Sequence, residues 1–122
     1  MLNVDAIQDA IAAHSFWKAR LRTAVSSEKF DVAIATVKAD DQCDFGKWLY
    51  GPTLSAAEKE TERCRTVKQL HAQFHQEAAR VVEWATSGQK NKAEEAMGSG
   101  GSYSRASRLL TEAMVRWRES LR

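Results

Sequence analysis

The chain contains three histidines and two cysteines, and four of these five side chains can be brought to one point. His71 and His75 stand four positions apart, so on a helix both imidazoles leave the same face about one turn from each other and can converge on a single ion. Between them lie Ala72, Gln73 and Phe74, without the Glu that follows the first histidine in a metalloprotease helix, so no general base is positioned for hydrolysis. His14 and Cys43 add a third nitrogen and a thiolate sulfur, which completes the ligand number and type that tetrahedral Zn²⁺ prefers. Four protein donors close such a site, which favours structure or sensing over turnover. The single sulfur is the exposed link, because oxidising or protonating Cys43 removes one donor of the four. The plainer alternative makes Cys43 a small buried hydrophobe and the histidines polar members of a helix core. It must then account for candidate donors from three separate segments in a chain this poor in both residue types.

Other reactive side chains carry less. Cys64 precedes His71 by seven residues, roughly 10 Å along a helix, too far for the same coordination shell. A packed thiol is its expected role, with pairing to an oxidised Cys43 as the alternative. Trp17, Trp48, Trp84 and Trp117 read as core or dimer-interface residues. Lys18, Arg20 and Arg22 form too small a basic cluster for a polyanion and read as plain surface. An enzyme built on a Cys43 and histidine pair would need an oxyanion loop and an orienting Asn or Asp, neither of which is evident. A non-haem iron bundle would need Glu three residues before a histidine, and Ile11, Lys68 and Ala72 stand at those positions.

The elements that must position these donors follow from spacing. Ile7, Ile11, Phe16, Trp17, Leu21 and Val25 recur at helical intervals after a polar start at Asn3 or Asp5, which predicts a helix over residues 4–25 with His14 in its apolar stripe. Residues 30–37 are β-branched, yet the chain offers no partner strand, so they read as a short helix or turn. Residues 43–50, after the acidic pair Asp40-Asp41 and before Gly51-Pro52, fit a compact two-turn helix, within which Gly46 implies close packing on a neighbour. Ser55 and Glu58 form a capping-box pattern, and the absence of Gly and Pro from there to Gly88 predicts one helix of roughly 30 residues. Its inward face carries Val67, Leu70, His71, Phe74, His75, Ala78, Val81 or Val82, and Ala85. A short helix over 89–97, a corner at Gly98-Ser99-Gly100-Gly101-Ser102 and a last helix from Tyr103 to the end complete the chain, with Ala106, Leu110, Ala113, Trp117 and Leu121 inward. The expected fold is all-α and four-helix-bundle-like, with three long helices and short helical segments between them.

At 122 residues, 43% apolar and with one proline, the chain has room for a single domain, residues 1–122, and not for a second core. Eighteen Lys and Arg against sixteen Asp and Glu leave +2, scattered among acids, so no nucleic acid or other polyanion is called for. No apolar stretch approaches a membrane span, and Met1-Leu2-Asn3-Val4-Asp5 lacks the start of an export signal, so no membrane is expected and the cytoplasm is the expected location.

The run Cys43-Asp44-Phe45-Gly46-Lys47-Trp48-Leu49-Tyr50, with His14 followed by Phe16-Trp17-Lys18 upstream and His71-x-x-x-His75 downstream, closely resembles the chemoreceptor zinc-binding (CZB) family. Gly101-Ser102-Tyr103 and Ser107 are similar to its C-terminal pattern, whereas Ala13 stands where many relatives carry Asp. The resemblance implies a bacterial cytoplasmic helical bundle that binds one Zn²⁺ through three His and one Cys, matching His14, Cys43, His71 and His75. It also implies a regulatory role, as a homodimer attached to chemoreceptor signalling or diguanylate cyclase domains or standing alone. Such domains sense zinc availability and oxidants such as hypochlorous acid, which makes Cys43 the redox-reactive residue.

Overall fold

A computed structural model describes residues 4–41 and 43–121. Seven helices follow in order among them: α1 (Val4–Ser27), α2 (Ile34–Lys38), α3 (Asp44–Tyr50), α4 (Ala56–Lys59), α5 (Glu62–Thr86), α6 (Lys90–Met97) and α7 (Ser102–Ser120). The described residues form no strand, and the three long helices with short ones between them are the all-α bundle expected. α5 is the centre of the assembly and packs against α1, α2, α6 and α7. Its inward stripe, Val67, His71, Phe74, Ala78, Val81 and Ala85, is buried, as are both Val81 and Val82. Around it close Ile7 and Leu21 from α1 and Tyr103, Leu110, Met114 and Trp117 from α7, all buried. Burying apolar surface at roughly 25 cal/mol per Å² is what holds these amphipathic faces together. No described helix is long and apolar enough to cross a membrane.

Two expectations need correction. The stretch from Ser55 to Gly88 is not one helix. Ser55 and Glu58 do form the reciprocal capping box, but it opens only the single turn of α4. Thr61 then ends that turn by donating its hydroxyl to the Glu58 carbonyl at 2.8 Å, and starts α5 by accepting the Cys64 N–H at 3.4 Å. A hydroxyl that offers the backbone local partners in both directions breaks the ladder. Phe16 is the second case: it is 71% exposed and does not belong to the α1 stripe. At about 100° per residue it points away from His14, two residues before it.

Smaller offsets concern ends. α1 runs two residues past the expected stop and is closed by Glu28 in the left-handed region (φ 59°). Asn3 and Arg122 lie outside the described residues. The 30–37 stretch yields only the five residues of α2, displaced towards Lys38. α5 stops where expected: Gly88 takes φ +80°, and the Gln89 N–H bonds back to the Trp84 carbonyl at 2.9 Å, a Schellman-type cap.

Candidate metal centre

His14 comes from the middle of α1, His71 and His75 from α5, and Cys43 from the residue that caps α3. One donor atom from each lies within 4.8 Å of every other. Cys43 Sγ sits 3.3 Å from His71 Nε2, which in turn lies 3.1 Å from His75 Nε2. Tetrahedral zinc with bonds of about 2.0–2.3 Å spaces its donors about 3.3–3.6 Å apart, so these atoms stand close to the positions such an ion requires. The sequence-predicted set is therefore brought together without exception.

Backbone carbonyls aim the rings. His14 Nδ1–H donates to the Ala10 carbonyl at 2.7 Å, and His75 Nδ1–H donates to the Val37 carbonyl at 2.8 Å. Each bond fixes the tautomer that leaves a lone pair on Nε2, the pattern by which an outer carbonyl orients a metal-binding imidazole. Among the described residues the buried His14 Nε2 has no hydrogen-bond partner; His71 Nδ1 has none either, but it is the nitrogen of that ring that does not face the other donors. A buried polar atom without a partner is costly, and lone pairs from several residues facing one point lack a positive charge between them. This donor chemistry fits a metal ion.

The electrostatics keep the nitrogens ready. All three imidazoles are at most 4% exposed. Burial pushes His14 down to about 4, against the pull of the Ala10 carbonyl, with His75 adding to the depression. Burial, then the neighbouring His75 and His14, take His71 to about 2. His75 is lowered by burial too, with the Val37 carbonyl and the Asp40 carboxylate opposing. At neutral pH all three are uncharged, the state that coordination needs. Burial also raises the Cys43 thiol, while the Gly46 and Phe45 amides pull it back. A cation beside the sulfur reverses that balance.

Aromatic rings wall the centre. Phe45 meets His71 edge-on at 5.2 Å, Phe74 meets His14 at 5.0 Å, and Trp17 meets His75 at 6.1 Å. One side stays open: a cleft between α1 and α3, lined by Asp9, Ala13, His14, Cys43 and Asp44, leads to the half-buried sulfur.

Cys43 itself belongs to the cap of α3 and not to the helix, and its sulfur accepts the Gly46 N–H at 3.3 Å. Gly46 packs closely, as expected: a Cβ there would fall 1.9 Å from the Asp40 carbonyl oxygen. Cys64 is a packed thiol in the α5 core, outside the donor cluster. Of the tryptophans, Trp117 is buried, and Trp17, Trp48 and Trp84 pack partly against the core. Arg20 is occupied by aromatic surface, 4.6 Å above Trp17 and 5.3 Å above Phe30. The Val37 carbonyl had no signature in the sequence. The Ala10 contact could have been found, since a helical histidine commonly reaches the carbonyl four residues back.

The sequence profile of the chemoreceptor zinc-binding domain family matches residues 14–82, more than half of the chain and inclusive of all four donors. Gly101-Ser102-Tyr103 and Ser107 lie beyond the matched stretch. No curated protein and no solved structure matches the chain.

Proposed function

The chain belongs to the chemoreceptor zinc-binding domain family, and on that premise we propose that it is a regulatory domain of bacterial signalling whose ion is Zn²⁺, held by His14, Cys43, His71 and His75. The observation that carries this is the buried, unpartnered Nε2 of His14 facing three further donors, all within 4.8 Å of one another. Zinc there would supply a redox-inert Lewis acid that ties α1, α3 and α5 together. Among the described residues no carboxylate joins the donor cluster, which supports zinc over a non-haem iron centre. The closed set of four protein donors supports regulation without catalytic turnover.

The signal is zinc availability, cysteine oxidation, or both. Cys43 is the reactive member because the cleft beside α1 reaches it. Hypochlorous acid would take the thiolate to sulfenic acid and leave as chloride, and the sulfur would then hold its place in the set less well. Helix α3 is seven residues long and contains Gly46, so it is the element most easily released once the sulfur lets go. The histidines remain on two long helices. Release of α3 would reshape a homodimer and pass to a chemoreceptor signalling or diguanylate cyclase domain, in cis or in trans, for chemotaxis or cyclic-di-GMP control in the cytoplasm.

Elemental analysis of the purified protein should find one zinc per chain. Zinc titrations of the wild type, Cys43→Ser and each His→Ala variant should show every substitution weakening binding. Sub-stoichiometric hypochlorous acid should lower zinc affinity and speed amide exchange across residues 40–52. Unchanged affinity and exchange would remove the oxidant response from the proposal.

A further inference from the structure

Residues 33–51 do two things at the centre: they carry Cys43, and they carry the Val37 carbonyl that orients His75. We propose that Tyr50 is a positioning residue for both donors, holding Asp40 so that the Cys43 sulfur and the Val37 carbonyl are fixed as one clip. This rests on the zinc reading and deepens it.

Neither short helix can hold itself. α2 has five residues and no side-chain cap, and α3 has seven. Helices of that length are unstable alone, so contacts from elsewhere must set their positions. Asp40 lies between them and is held from two sides. Its backbone carbonyl presses on Gly46, where not even a methyl group fits. Its carboxylate accepts the Tyr50 hydroxyl at 2.5 Å. Tyr50 is itself tied to the rest of the molecule. Lys68, one turn before His71 on α5, places its ammonium 4.5 Å from the ring centroid, and Lys59 donates to the Tyr50 carbonyl at 3.3 Å. Burial and the bond to Asp40 raise the phenol, which keeps it a donor. From Asp40, three residues lead back to Val37 and three lead forward to Cys43. Loosening this corner frees a sulfur and misaims an imidazole in the same movement.

Tyr50 is 41% exposed, so Tyr50→Phe deletes one hydroxyl without opening a cavity. Asp40→Asn keeps an acceptor oxygen and serves as the conservative control. In zinc-free protein, Tyr50→Phe should speed amide exchange over residues 37–50 by about tenfold and mix the His75 tautomers seen by ¹⁵N imidazole NMR, while Asp40→Asn stays near wild type. Zinc affinity should fall by about tenfold in the wild-type background and still fall several-fold in Cys43→Ser and in His75→Ala. An effect that vanishes in Cys43→Ser would show that Tyr50 serves the sulfur alone and overturn the proposal, as would unaltered exchange and tautomers. A wild type that binds no zinc yet loses its His75 tautomer on Tyr50→Phe would sink the zinc reading and uphold the clip.

Discussion

The centre is assembled from two unlike regions. His14, His71 and His75 stand in the interiors of helices of 24 and 25 residues, buried and backed by aromatic rings. Cys43 stands at the edge of a seven-residue helix, half-buried and beside a cleft. The two regions differ in how much of the core holds them: the nitrogens come from helices that the core grips along about six or seven turns, and the sulfur comes from the cap of a helix of about two turns that the core grips chiefly through Phe45 and Leu49. A sensor needs both, since an ion held only by core helices could not be let go without unfolding the domain.

Stripping the ion tests that division most severely. Structural zinc is worth on the order of 10 kcal/mol, so chelation should lower the melting temperature sharply and deprotect amides of residues 33–51 before those of α1 and α5. Equal deprotection of both regions would erase the distinction. Next comes His71→Ala, which removes the donor in contact with both Cys43 and His75. Zinc affinity should fall on the order of a hundredfold or more, and further than for Cys43→Ser, as calorimetric titration would show.

Acid should act through the long helices, because they carry all three histidines. His14 is held at about 4 in the folded chain against 6.5 when free. Below pH 6.5 the unfolded chain takes up a proton that the folded chain refuses, so stability is intact above 6.5 and is lost as pH falls towards 4. For His14 that amounts to about 3 kcal/mol, readable from urea denaturation of zinc-free protein at pH 7.5 and 4.5. Gly46→Ala sets a methyl against the Asp40 carbonyl and should cost about 1–3 kcal/mol, with zinc affinity falling alongside. Thr61→Ala removes the α5 cap and should cost about 1 kcal/mol in denaturation with zinc affinity unchanged.

Much of the centre was legible from residue types. His71 and His75 sit on one face because four positions make about one turn, and scarcity of histidine and cysteine pointed to His14 and Cys43. The bundle followed from apolar spacing in α1, α5 and α7. Spacing could not divide the 55–88 stretch, because Thr61 differs from an ordinary helical threonine only in where its hydroxyl turns. Nor could it place Phe16, an apolar residue that the bundle leaves in water. The Val37 carbonyl and the Asp40–Tyr50 bond were out of reach for another reason: backbone oxygens carry no residue signature, and the approach of residues ten apart depends on the turn between them.

Trp48 lies on α3 with its ring 5.6 Å from Phe45 and 5.8 Å from Trp117 on α7. Indoles that near one another couple optically, and one of the pair rides on α3, the helix whose release we propose. The domain thus carries its own label-free gauge: near-ultraviolet dichroism and tryptophan emission should follow each departure and return of α3 in real time.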